Sequence, residues 1–109
     1  MDTQTTQNET SAIIATLNDE FRKNSTGCTV TQGVAALEFV GEIFESVRLF
    51  DDFTEDNDPY GEHDFGSFEH FAHKFFWKID YYDSHLKGWC DPLDSNCERV
   101  LTIMLAEEY

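Results

Sequence analysis

The sequence predicts an α+β fold in which two helices from the N-terminal half pack on a small antiparallel sheet with a central aromatic β-hairpin. Three observations support this: apolar residues recur at helical spacing in two segments before residue 51, aromatic residues alternate between 65 and 82, and an apolar run follows at 99–105. The 109 residues are 40% hydrophobic and 15% aromatic, which is enough for one core. We therefore expect a single domain over residues 11–109, preceded by a flexible polar tail over residues 1–10.

The two helices are predicted from apolar periodicity. The first covers residues 11–23, where the apolar residues at helical spacing are Ile13, Ile14, Leu17 and Phe21. A short strand rich in β-branched residues follows at 28–32, and the second helix covers 37–50. Its apolar stripe consists of Phe39, Val40, Ile43, Phe44, Val47 and Phe50. Four acids would share the opposite face, over about 21 Å if the helix reaches residue 52: Glu38, Glu42, Glu45 and Asp52.

The remaining elements are predicted to be strands. Residues 65–71 and 75–82 alternate and are dense in aromatic side chains, and a turn near Ala72-His73 would join them in a β-hairpin. The run 99–105 fits a buried strand or a short helix, and we favour the strand because it gives the hairpin a third partner. Turn-forming residues predict two loops, at 51–66 and 84–98.

The composition is strongly acidic, with 22 acids against 7 bases and a formal net charge of −15. Such a molecule repels nucleic acid and anionic membrane and is attracted to basic surfaces, so we expect a basic protein partner. We see no secretory signal and no apolar segment long enough to cross a bilayer. The three cysteines fit reduced thiols in a cytoplasmic protein, with a Cys90–Cys97 disulfide as the alternative.

The segment DNDPYGEHDFG, residues 56–66, combines four acids, a histidine and two glycines, with no lysine or arginine. Alternating oxygen ligands before a glycine are typical of calcium loops, although Tyr60 and Ser67 stand where such a loop has ligands. Asp and Asn side chains in such a loop also accept backbone amides and shape the turn without any ligand. A divalent-metal site, or a small metal-dependent enzyme, is therefore an alternative interpretation, and its residues would be Asp56, Asp58, Glu62, His63 and Asp64.

Three stretches of the chain, FDDFTEDNDPYGEHDFGSFE, FFWKIDYYD and RVLTIMLAEEY, resemble a family of short acidic bacterial proteins catalogued as a domain of unknown function. The resemblance covers the chain from about Leu17 onward, and the chain departs from the family's usual pattern at residues 69–73 and 89–97. It implies an intracellular bacterial protein that is often carried on plasmids or other mobile DNA. It supplies no activity and no catalytic residues.

These observations predict a non-enzymatic interaction protein without a cofactor, which presents a DNA-like negative surface to a basic nucleic-acid-binding protein. In the setting that the resemblance implies, this would be a mobile-element inhibitor of the anti-CRISPR or antirestriction type. A homodimer that buries one face of the hairpin is a further expectation. The residues predicted to form the binding surface are Glu38, Glu42, Glu45, Asp51, Asp52, Glu55, Asp56 and Asp58.

Overall fold

The computed structural model describes residues 3–24, 28–85 and 87–109, with side chains from residue 9 onward. In chain order the elements are α1 (Thr3–Asn24), β1 (Thr29–Val30), α2 (Gln32–Ala35), α3 (Val40–Arg48), β2 (Phe65–His70), β3 (His73–Tyr82) and β4 (Glu98–Leu105), followed by a 3-10 turn at Ala106–Glu108. The four strands form one sheet in the order β1-β4-β3-β2. The α+β fold class is confirmed. The sheet is mixed, however, because β1 runs parallel to β4.

One face of the sheet carries the core. Alternate residues of β3 are buried, and the antiparallel register places the first three beside buried residues of β4: Phe75 opposite Leu105, Trp77 opposite Ile103 and Ile79 opposite Leu101. The helices contribute Ile14, Val34, Ile43 and Val47 to the same cluster. Each of these side chains stabilises the fold by about 1.5–3 kcal/mol when it leaves water.

Helix α1 begins at Thr3, eight residues before the predicted start, so helical backbone covers residues 3–10. Residues 1 and 2 lie outside the described part of the chain, and the mobility of the N-terminal ten residues stays a prediction. The predicted apolar stripe is only half right, because Ile13 is 54% exposed and Leu17 is 37% exposed. The face that packs inward is centred on Ile14, Asn18 and Arg22, which are spaced four residues apart.

Helix α3 has nine residues and is therefore about 13 Å long, so the predicted acidic helical face of 21 Å is wrong. Only Glu42 and Glu45 of its four acids lie on the helix. The buried guanidinium of Arg22 explains where α3 ends, because it donates to the carbonyls of Val47 (3.0 Å) and Phe50 (2.9 Å). These bonds satisfy carbonyls at the helix terminus and let the chain turn toward the core.

The predicted hairpin is present as β2 and β3, with its turn at Phe71-Ala72, one residue earlier than expected. The C-terminal run is a strand, β4, and not a helix. All three cysteines are free thiols. Among the helices of the described residues, none is both long and apolar enough to cross a membrane.

Candidate functional site

Seven of the eight acids predicted to form a binding surface are exposed. Two lie on α3, one lies in the turn before it, and four lie in the loop after it. Only one base, Arg48, occurs between residues 38 and 56, and its guanidinium lies 3.4 Å from the carboxylate of Glu45. The term acidic surface is used below for these seven residues: Glu38, Glu42, Glu45, Asp51, Asp52, Glu55 and Asp56.

The loop that carries four of these acids is held by side chain–backbone hydrogen bonds. Asn57 donates from Nδ2 to the carbonyl of Asp52 (2.9 Å) and accepts the amide of Thr54 at Oδ1 (2.9 Å). The amide of Asp58 donates to the carbonyl of Thr54 (2.8 Å). Asn and Thr side chains that bond the backbone in this way fix a turn locally. The exposed acids of the loop therefore project from a defined turn.

Asp58 lies inside the loop and not on the acidic surface, since it is only 9% exposed. Its carboxylate accepts the amide of His63 (3.2 Å), and its carbonyl accepts the amide of Gly61 (3.1 Å). Both Gly61 (φ 69°) and His63 (φ 56°) adopt left-handed backbone. The hydrogen bonds of Asp58 close this turn, which is the shaping role that aspartate takes in such loops.

His63 joins the loop to α1. Its Nδ1 lies 3.0 Å from Asp19 Oδ1, its Nε2 lies 3.6 Å from Asp58 Oδ2, and its ring stacks on Phe53 with centroids 3.8 Å apart. Both ring nitrogens thus face carboxylates. The arrangement acts as a clamp between α1 and the loop.

Among the described residues, no three His, Cys, Asp or Glu side chains are grouped so that they could hold a metal ion. Of the five residues in the divalent-metal alternative, Asp58 and His63 contact each other, and Glu62 and Asp64 are half-buried nearby. Asp56 is exposed, and its side chain forms no hydrogen bond or ion pair with the described residues. The divalent-metal alternative stays a prediction, with no ligand cluster in this part of the chain to support it.

Two half-buried carboxylates on the inner side of the loop repel one another. Desolvation raises the pKa of Glu62, and the charges of Asp64 and Asp58 add to the effect. Desolvation also raises the pKa of Asp64; its backbone hydrogen bond opposes the shift, and the charges of Asp58 and Asp80 add to it. Ionised carboxylates close together in a partly desolvated site disfavour each other's charge.

A buried polar network, which the sequence interpretation missed, ties the loop to the core. Asn18 is fully buried and donates from Nδ2 to the Tyr81 hydroxyl (2.8 Å) and to the Glu62 carbonyl (2.9 Å). Its Oδ1 accepts Arg99 Nε (2.7 Å). Burial is the main cause that raises the pKa of Tyr81 to about 12. One signal could have found Asn18: it lies four residues after Ile14 and therefore on the same side of α1.

The tip of the hairpin is an exposed aromatic group next to the acidic surface. Phe71 is 63% exposed, and its ring packs on Phe39 (centroids 4.9 Å apart) and His70 (4.3 Å). His70 Nε2 also lies 3.3 Å from Glu42 Oε2, which joins the tip to α3. Phe71 (φ 48°) and Ala72 (φ 67°) both adopt left-handed backbone, a conformation that usually selects Gly, Asn or Asp in hairpin turns.

Fold and site together define a small acidic α+β domain in which seven exposed carboxylates lie on and around the short helix α3. The family model described as protein of unknown function (DUF3768) matches residues 30–108, and the chain belongs to this family. Helix α1 precedes the matched residues. No curated protein and no solved structure matches the chain significantly.

Proposed function

We propose that the protein is a non-enzymatic inhibitor that presents its acidic surface to the basic nucleic-acid-binding surface of a partner protein. In its concrete form this is a mobile-element inhibitor of the anti-CRISPR or antirestriction type, in line with the mobile-DNA setting implied by the sequence resemblance. The observation that carries the proposal is the exposure of seven carboxylates between residues 38 and 56 with one base among them.

The charge of this surface is little compensated. Within it, the carboxylate of Glu45 pairs with Arg48 at 3.4 Å, and the carboxylate of Glu42 lies 3.3 Å from His70. Exposed pairs of this kind contribute only about 0–1 kcal/mol and are easily exchanged for a partner's cations. A basic channel that normally holds DNA, which carries one charge per about 1.7 Å of axis, offers such cations.

The hairpin tip supplies an apolar group beside the charges. Exposed aromatic side chains in the middle of an interface account for much of the binding energy in many complexes, whereas rim charges mainly raise the association rate. Phe71, held next to Glu42 through His70, fits the first role, and the acidic surface fits the second. The exposed aromatic ring beside the acidic surface supports binding of a protein partner rather than of small cations alone.

A capture experiment with two charge-matched variants tests this function. The acidic-surface variant carries Glu42→Lys, Glu45→Lys, Asp52→Lys and Asp56→Lys. The control variant carries four reversals at exposed acids elsewhere: Glu9→Lys, Glu20→Lys, Glu98→Lys and Glu107→Lys. Each set changes the formal net charge from −15 to −7, so the two differ only in where the charge is reversed.

The immobilised proteins are incubated with nuclease-treated lysate from a bacterium that encodes restriction and CRISPR systems. We expect the wild type and the control variant to retain a nucleic-acid-binding protein at low salt and to release it at high salt, while the acidic-surface variant retains none. The purified partner must also lose DNA in a gel-shift assay when the wild type is added. Equal retention by both variants, or a partner that keeps its DNA, would refute the proposal.

A further inference from the structure

The edge of strand β3 has a gap beside the end of the hairpin. Strand β2 pairs with β3 up to Phe65 opposite Lys78, and the carbonyl of Asp64 accepts the amide of Ile79 (2.9 Å). Farther along the same strand, Tyr82 forms an antiparallel bridge with Trp89. A cavity of about 310 Å³ opens between these two contacts, lined by Asp64, Ile79, Asp80, Tyr81, Tyr82 and Trp89.

Trp89 lines this cavity, and among the described residues its ring has no aromatic or cationic partner. Its backbone is fixed, because the neighbouring amide of Cys90 donates to the carbonyl of Tyr81 (3.3 Å) and the amide of Asp83 donates to the carbonyl of Gly88 (2.8 Å). The indole is nevertheless 73% exposed and makes no ring or cation–π contact with the described residues. A tryptophan held in place with its ring exposed is the preferred platform for a bound cation.

The carboxylates of the cavity differ in their pairing. Asp80 is paired, since its Oδ2 lies 3.1 Å from Lys78 Nζ. Asp64 is half-buried, and no lysine or arginine of the described chain pairs with it. Desolvation raises the pKa of Asp64, and the nearby charges of Asp58 and Asp80 add to this shift, while its backbone hydrogen bond and the charge of His63 oppose it. An entering cation would relieve this repulsion and form an ion pair in a partly desolvated place.

We propose that this cavity binds a guanidinium group, such as an arginine side chain, with the Asp64 carboxylate as its ion-pair partner and the ring of Trp89 as its stacking surface. A guanidinium matches both features, because its planar fork bonds a carboxylate in bidentate fashion while its face stacks on an aromatic ring. The proposal is independent of the inhibitor function above, since it involves none of the residues of the acidic surface.

Titration by NMR with small probes tests the assignment. The probe is Nα-acetyl-arginine amide, the neutral control is the citrulline analogue of the same shape, and the lysine analogue tests for a guanidinium preference. We expect saturable shifts of the Trp89 indole N–H and the Tyr82 amide with the arginine probe, and at least tenfold weaker binding of the citrulline compound. Equal affinity for citrulline, or equal affinity for lysine, would overturn the assignment to a guanidinium.

Four variants locate the site. Asp64→Asn keeps the shape and removes the charge, and we expect it to weaken arginine binding about tenfold. Trp89→Leu should weaken binding similarly, whereas Trp89→Phe keeps a ring and should retain most of the affinity. Glu69→Gln removes one charge at the other end of the hairpin and should leave the affinity unchanged. A loss with Glu69→Gln as large as with Asp64→Asn would indicate diffuse charge attraction and refute a site at this cavity.

Discussion

Replacing Gly66 by alanine is predicted to destabilise the fold severely, because the indole of Trp77 lies across this glycine. A Cβ atom at residue 66 would lie 2.3 Å from Trp77 Nε1, 2.6 Å from Cε2 and 2.8 Å from Cζ2. Trp77 is fully buried against the rings of Phe50 and Phe53 and the guanidinium of Arg22, so it has no space to retreat. To remove the clash with the new Cβ, the Trp77 indole would have to shift by about 1 Å in a close-packed core. Overpacking of this kind costs about 1–3 kcal/mol.

We therefore expect Gly66→Ala to lower the free energy of unfolding by about 3 kcal/mol, the upper end of that range, and Tm by about 10–20 °C. The assay is urea unfolding followed by far-UV circular dichroism. Gly41→Ala is the matched control: its Cβ would meet nothing within 4 Å on α3, so it should stabilise by about 0.5–1 kcal/mol. Trp77→Leu removes the whole indole and with it all three clashing atoms, so the double variant should lose less than the sum of the single changes. A loss below about 0.5 kcal/mol for Gly66→Ala would refute this account of the core.

Three further changes have defined outcomes. Ala72→Gly should stabilise the hairpin by about 0.5–1 kcal/mol in urea unfolding, because glycine adopts the left-handed backbone of this turn without a Cβ penalty. Asn18→Ala should destabilise by about 2–3 kcal/mol in the same assay, since it leaves the Tyr81 hydroxyl and the half-buried guanidinium of Arg99 without their shared partner. Glu108→Gln should lower stability at neutral pH. Hydrogen bonds lower the pKa of Glu108, and the largest effect comes from the Thr31 hydroxyl. The ionised carboxylate therefore stabilises the fold above its unfolded-state pKa, and this stabilisation is lost as pH falls through the folded-state pKa.

Each of these changes has a control. Ala72→Val puts a β-branched residue into the same backbone and should destabilise, so a gain in stability for both variants would contradict the conformational argument. Asn24→Ala removes an exposed amide that, among the described residues, bonds the Glu20 carbonyl, and a loss as large as for Asn18→Ala would show that burial is not the cause. Glu107→Gln alters the neighbouring exposed acid. If it changed the pH dependence of stability as much as Glu108→Gln does, the specific hydrogen bonds of Glu108 would be excluded as the cause.

The sequence predicted the elements whose pattern is strong and local. The alternation in β3 and the apolar run of β4 led to the correct strands, because half of their side chains face one core. The limits of α3 could not be predicted, since its end depends on carbonyl bonds from Arg22, 25 residues earlier in the chain. The parallel pairing of β1 with β4 is likewise a long-range contact between a two-residue strand and the other end of the chain.

The candidate site was predicted only in outline. Composition was sufficient to indicate exposed acids around α3, because charged side chains remain in water unless they are paired. Composition could not indicate that Asp58 turns inward to bond the His63 amide, since this depends on left-handed backbone at residue 63. The hairpin turn was predicted one residue too late, and the exposed Phe71 at its tip was not foreseen, because two non-glycine residues in left-handed backbone run against the usual turn preference.

The salt dependence of partner binding shows whether the acidic surface is the electrostatic interface of the protein. Affinities of the captured nucleic-acid-binding protein are measured over a series of salt concentrations for the wild type, the acidic-surface variant and the charge-matched control variant. We expect a steep loss of wild-type affinity with salt, the same slope for the control variant, and weak binding with a shallow slope for the acidic-surface variant. Equal slopes and equal affinities for all three proteins would contradict this expectation.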